Sequence, residues 1–231
     1  MTGPLPGALL FDFDGLVLDT ESCTYEAVAD AFAEHGLALD LASWQTILGT
    51  ADHPHWTEML AERLGRPVDR AALTARREEA RMAVLLTLPP CAGVEDLLDA
   101  AADAGVPTAV ASSSAAGWVV GHLERLGLAD RFTAVATSDD VGGDPRRTKP
   151  APDIFLAAAA KVGVAADRCV VLEDSPNGVA GARAAGMAVV AVPGPMTRGL
   201  DFSAADLVVP SLAGVDLATL GSVVSHRGQP R

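Results

Sequence analysis

The chain is short of cysteine and of positive charge, and it has no long apolar run. Its three cysteines, Cys23, Cys91 and Cys169, are odd in number, far apart, and in no CxxC or Cys/His arrangement. A disulfide framework and a thiolate zinc site are therefore not expected, and a reducing, cytoplasmic setting is. No stretch reaches the roughly 18 apolar residues of a membrane span. Met1-Thr2-Gly3-Pro4-Leu5-Pro6-Gly7 has neither the basic nor the apolar segment of a signal peptide, so the expectation is a chain neither secreted nor inserted. Lys and Arg total 17 against 30 Asp and Glu, a formal net charge of −13. Such a surface repels phosphate backbones and anionic lipid, so no nucleic-acid or membrane partner is expected. An anionic substrate would need a local positive pocket that works against the overall field.

What is present is material for a core. In 231 residues, 49% are hydrophobic and 20% charged, which excludes disorder as the global state and lies between one and two ordinary domains in length. Short apolar runs occur at Ala8 to Phe13, Pro107 to Ser112, Ala134 to Ala136, Cys169 to Leu172, Ala188 to Val192 and Leu207 to Val209. Helix-like segments separate most of them. That alternation predicts an α/β fold, a Rossmann-like parallel sheet with helices on both faces and its loops at the strand C-terminal ends forming the ligand edge.

Between strand one and about Pro90 no strand pattern appears. Amphipathic stretches at Glu21 to His35, Leu41 to Leu48, Trp56 to Leu64 and Asp69 to Leu86 predict an all-helical insert. The expected division is a core of residues 1–20 and 91–231 with a cap of residues 21–90. Two linkers meeting at one junction make a hinge, so opening and closing of the cap is expected.

Phe11-Asp12-Phe13-Asp14-Gly15 puts two carboxylates two positions apart at a strand end. A hard divalent ion with oxygen ligands would offset their repulsion, while a solvated turn is the bland alternative. Ser112-Ser113-Ser114 stands between a strand and a helix, where hydroxyls and backbone N–H groups can bind phosphate oxygens; taken alone, Ser114 reads first as a simple N-cap. Lys149, held extended by Pro150, reads alone as a solvated lysine. Glu173-Asp174 closes another apolar strand, ahead of a Ser175-Pro176 helix start. All four elements fall at strand C-terminal ends, which a chance pattern would not produce together.

With these motifs the sequence resembles the haloacid dehalogenase-like hydrolase superfamily, in its Mg²⁺-dependent phosphatase and phosphomutase branch with a helical cap. The resemblance runs from Ala8 to about Leu220 and rests on FDFDGLVLDTE, AVASSS, KPAPDIF and LEDSPNGVAGARAAG. It implies Asp12 as the nucleophile that carries an aspartyl-phosphate and Asp14 as general acid and then base. Ser112 and the Ser113 N–H would hold phosphoryl oxygens, and Lys149 would offset charge on the phosphate and the nucleophile. The metal would be Mg²⁺, held by Asp12, the Asp14 backbone carbonyl and Asp174, with Glu173 acting through water. The second Asp argues against carbon–halogen chemistry. Asp52 where the branch's mutases carry a cap arginine, and Thr24 near their histidine, favour hydrolysis over a β-phosphoglucomutase-like transfer.

His53 and His55 in the cap are candidates for contact with the substrate; exposed histidines, with Trp56 and Trp118 packing the cap and core, are the alternative. Asp139 and Asp140 either tune Lys149 or the metal, or belong to a solvated loop. A response-regulator receiver is disfavoured because its acceptor Asp follows a middle strand of a domain of about 120 residues, and a binding protein on a dead scaffold is disfavoured by the intact acids and lysine. The expected partner is a small phosphorylated metabolite and the expected state a monomer.

Overall fold

The structure, a computed structural model, describes residues 4–45 and 55–227. Six apolar runs become six strands: β1 (Ala8–Phe11), β2 (Thr108–Ala111), β3 (Ala134–Ala136), β4 (Cys169–Glu173), β5 (Ala188–Ala191) and β6 (Leu207–Val208). They form one sheet in the order β3-β2-β1-β4-β5-β6, and every pairing is parallel. All strand C-terminal ends therefore lie along one edge, and β1 sits between β2 and β4 where the strand order reverses, the place at which open α/β sheets bind ligands. β1, β2, β4 and β5 are buried along their whole length, which is why they read as continuous apolar runs and not as alternating ones.

Period-two alternation still decides which face each residue serves. Ala8, Leu10, Ala109, Ala111, Val171, Val189 and Ala191 join one core with Ile154, Phe155 and Ala158 of α7 (Asp153–Val162) and Val179 and Ala182 of α8 (Pro176–Ala184). Full burial of a side chain such as Phe155 stabilises the fold by roughly 1.5–3 kcal/mol. On the other face Phe11 meets Phe132 edge-on with ring centroids 5.4 Å apart. That side also carries α5 (Val94–Ala104), α6 (Ala116–Leu126) and α9 (Leu217–Arg227), α9 packing on β4 and β5 and α6 on β3.

The chain divides into two compact units, one joining the segment that ends at Leu18 to the segment that begins at Pro89, the other running from Asp19 to Leu88. Each junction falls two residues before the expected 20/21 and 90/91. Asp19 already belongs to the helical unit, because its carboxylate caps α1 (Thr20–Ala33) by accepting from Ser22 N–H at 3.0 Å. Cys91, in turn, donates its N–H to Val17 O at 2.9 Å inside the sheet unit.

The helical unit holds α1, α2 (Leu41–Gln45), α3 (Trp56–Leu64) and α4 (Arg70–Leu85). α1 packs on α4, Tyr25 meets Trp44 edge-on at 6.0 Å, and Arg76 pairs with Glu34 at 2.6 Å. Asp69 caps α4 through Ala72 N–H, which is why the helix begins one residue after the expected Asp69. The last part of the expected Leu41 to Leu48 helix lies outside the described residues.

Candidate active site

β1 ends at Phe11, and the next residue, Asp12, keeps the register for one more step by donating its N–H to Leu172 O at 2.9 Å. Its side chain is thereby delivered to the sheet edge beside the end of β4, where Glu173 and Asp174 emerge. The carboxylates of Asp12, Glu173 and Asp174 each place an oxygen within 4.8 Å of the other two, and all three residues are buried. Lys149 reaches into this cluster from the loop after β3. Its ammonium donates to Asp12 Oδ1 and, at 2.5 Å, to Glu173 Oε1, and its side chain is only 7% exposed. Lys149 is thus buried among acids and is not the solvated lysine that its local sequence alone suggests.

Burial pushes the Asp12 carboxyl up to about 8; Lys149 opposes that rise while Glu173 and Asp14 add to it. Burial also works against the Lys149 ammonium, but Asp12 and Glu173 outweigh it and hold that group above its usual value. Glu173 is oriented from its second oxygen, which accepts from both the N–H and the hydroxyl of Ser175 at 2.9 Å. Ser175 then caps α8 by accepting from Gly178 N–H.

Two glycines make room for these acids. Gly15 has φ +90°, and a Cβ there would overlap the Asp174 carboxylate. A Cβ at Gly178 would overlap that of Glu173. The donor set fits a hard divalent cation: three carboxylates stand against one ammonium among these four groups, in a cradle that side chains at either glycine would fill.

Asp14 has a different environment. It is half-buried, and its carboxylate accepts from Ser114 Oγ at 2.6 Å, Trp118 Nε1 at 2.9 Å and Ser112 Oγ at 3.4 Å. The side chain therefore stands apart from the acidic cluster, so among the expected metal ligands only its backbone remains a candidate. Ser112 is buried, donating its N–H to Ala136 O at 3.0 Å and accepting from Ser114 N–H at 3.0 Å. Ser113 is exposed, and its hydroxyl accepts from Lys149 N–H at 3.2 Å, tying the lysine's loop to the loop after β2.

Two members of this arrangement have partners that the sequence did not indicate. Ser114 is not the cap of α6: Ala115 holds that position without a side-chain bond, and the Ser114 hydroxyl goes to Asp14. Trp118, read as packing, donates to the same carboxylate. The position of an indole at the first turn of a helix that opens on the strand-end edge is the one sequence signal that pointed there.

The remaining candidates have structural partners. Asp139 accepts from Ala116 N–H at 2.9 Å, at the start of α6, and Asp140 from Thr137 N–H at 2.8 Å. Arg146 pairs with Asp144 and Arg147 with Asp153, both arginines being largely exposed. His55 lies in the helical unit as the cap of α3, its Nδ1 accepting from Thr57 N–H at 3.3 Å. Thr24 donates to Thr20 O at 2.8 Å within α1. His53 and Asp52 lie outside the described residues.

Fold and site together define an α/β protein with a buried acidic centre at the switch point of its sheet. The sequence profile of the haloacid dehalogenase-like hydrolase family matches residues 6–186. A Bacillus subtilis (strain 168) protein named "Putative phosphatase YhcW" is 41% identical over 92% of this chain and 95% of its own. The fructose-1-phosphate phosphatase YqaB of Escherichia coli (strain K12) is 33% identical over 80% of this chain and 95% of its own. Among solved structures, a HAD family hydrolase from Deinococcus radiodurans R1 with bound phosphate and sodium superposes with TM-score 0.75 at 29% identity, over 91% of this chain and 93% of that one. The chain belongs to the haloacid dehalogenase-like hydrolase family, and it is a phosphatase. Among the described residues no helix is long and apolar enough to cross a membrane.

Proposed function

We propose that the protein is a Mg²⁺-dependent phosphomonoesterase that cleaves a small phosphorylated metabolite through a phosphoryl group carried on Asp12. The observation that carries this reading is the division of two carboxylates two residues apart. Asp12 is buried against Lys149 and beside Glu173 and Asp174, whereas Asp14 is half-buried and turned to Ser112, Ser114 and Trp118. Two carboxylates in such different surroundings suit two tasks, one to bond phosphorus and one to handle protons.

An Asp12 oxygen attacks phosphorus, and the ester P–O bond breaks as Asp14 gives its proton to the departing oxygen. After the alcohol leaves, Asp14 takes a proton from a water molecule whose oxygen attacks the same phosphorus. The Asp12–phosphorus bond then breaks, releasing inorganic phosphate and restoring the Asp12 carboxylate. Lys149 offsets charge on Asp12 and on the transferring group, while the Ser112 hydroxyl and the Ser113 N–H supply donors from the β2 loop. Asp12, Asp174 and the Asp14 backbone carbonyl would hold Mg²⁺, with Glu173 behind through water; the ion supplies charge neutralisation at the phosphoryl oxygens.

The helical unit is assigned the role of a cap that selects the leaving group, with His53 and His55 as candidate contacts. The name of the Escherichia coli relative puts sugar phosphates first among substrates. A cytoplasmic monomer is the working state, in keeping with the free thiols of Cys23, Cys91 and Cys169.

The test is phosphate release from a panel of sugar, polyol and nucleoside phosphates, with and without Mg²⁺, for the wild type and Asp12→Asn. Metal-dependent multiple turnover that is lost in Asp12→Asn and not restored by excess Mg²⁺ is expected. Retained turnover in that variant would remove Asp12 as the nucleophile.

A further inference from the structure

We propose that Trp118 is a positioning residue for Asp14 that holds its carboxyl plane from one oxygen, Oδ1, and leaves the other to the hydroxyls of Ser114 and Ser112; the assignment rests on the reading of Asp14 as proton donor and acceptor. An indole N–H can only donate. Trp118 Nε1 lies 2.9 Å from Asp14 Oδ1, so that oxygen accepts and the carboxyl group is held from that side. The other oxygen faces hydroxyls, Ser114 Oγ at 2.6 Å and Ser112 Oγ at 3.4 Å, and a hydroxyl both donates and accepts. The hydrogen bond that orients the carboxyl plane is therefore made on one oxygen, and the hydroxyls stand at the other.

The indole is itself braced. Trp118 is the third residue of α6, and one turn later His122 packs edge-on against it with ring centroids 4.3 Å apart. The His122 ring lies over Phe13 at 6.3 Å with the planes 29° apart, and Phe13 is the residue between the two aspartates. The path from Asp14 through Trp118, His122 and Phe13 thus closes on itself through the backbone. His122 is 5% exposed and Phe13 fully buried, so the brace stands in packed surroundings. Proton transfer to a leaving oxygen depends steeply on such placement.

The experiment compares kcat/KM for an alkyl phosphate, whose leaving oxygen needs a proton, with that for 4-nitrophenyl phosphate, whose leaving group does not. Trp118→Phe keeps the ring and removes the donor, and Ser114→Ala tests the opposite oxygen. Each variant is expected to lose about tenfold on the alkyl ester and less than about twofold on the aryl ester. Asp14→Asn gives the limiting case of the same pattern. Equal losses on both esters, or no loss on either, would overturn the assignment. A wild type that hydrolyses no phosphomonoester overturns the phosphatase reading instead. The contact is then read independently from the indole ¹⁵N–¹H signal of Trp118, which Asp14→Asn is expected to move; an unmoved signal overturns the contact itself.

Discussion

Lys149 and Glu173 form a 2.5 Å ion pair in which neither side chain is more than 7% exposed. Because the same ammonium serves Asp12, one cation holds two buried acids, and its removal would strand both. Breaking a buried pair by deleting one partner costs about 3–5 kcal/mol. Lys149→Met is therefore expected to lose that much stability in urea unfolding at pH 7 with a chelator present, besides losing turnover. Glu173→Gln, which can still accept from Ser175, is expected to lose less. Equal losses in the two variants would count against Lys149 as the shared counter-charge.

A cation bound only by the folded protein raises its stability by mass action, about 2.7 kcal/mol at a hundredfold excess over Kd. Mg²⁺ is expected to raise the melting temperature of the wild type, and a chelator to reverse the rise and stop phosphate release. In Asp174→Asn the Mg²⁺-induced rise should shrink or vanish. Thermal unfolding across a Mg²⁺ titration measures both.

Gly15 carries two constraints at one position, a backbone at φ +90° and a neighbouring carboxylate where a Cβ would lie. Gly15→Ala is expected to cost about 1–3 kcal/mol of backbone strain and to displace Asp174, so that activity demands more Mg²⁺. Gly36, with φ +72° and open space around it, is the control. Gly36→Ala should show the strain without the change in metal requirement.

Asp140 links the start of the β3 loop to α7 through Thr137 N–H and a 2.6 Å ion pair with Lys161. Burial pushes its carboxyl up, but the hydrogen bonds from Lys161 and Thr137 outweigh burial and hold it below its ordinary value of 3.8. A carboxyl lowered on folding stabilises the protein above its unfolded value, and that contribution disappears as pH falls through the lowered one. Asp140→Asn keeps an acceptor for Thr137 N–H but loses the charge facing Lys161, and is expected to cost about 0.2–1 kcal/mol at pH 7, the scale of a solvent-exposed ion pair. The gap between variant and wild type should close progressively below pH 4 in equilibrium unfolding.

The sheet was legible because parallel strands buried on both faces leave short, turn-bounded runs such as ALLF and CVVL. The acids were legible for a related reason: Asp12 and Glu173 end such runs, and a charge at that place needs a partner. Ser114 was not legible. A serine one or two residues before a helix has the local pattern of a cap, and its actual partner, Asp14, lies 100 residues away in sequence. Trp118 is nearly the same case at a separation of 104 residues: its place in the first turn of a helix at the strand-end edge is a signal, but nothing local names the carboxylate it donates to. Lys149 was legible only through the family resemblance; from local sequence alone it stands in an acidic, polar stretch, and the loop after β3 carries it into the sheet edge.

The order of strands also has a consequence for a chain that is still being made. Asp12 emerges from the ribosome near the beginning, while Lys149 follows 137 residues later and Glu173 a further 24 residues on. Every partial chain that stops short of β4 has Asp12 without Glu173 and Asp174, so the acidic centre on which the proposed chemistry rests is incomplete until the fourth strand pairs with the first.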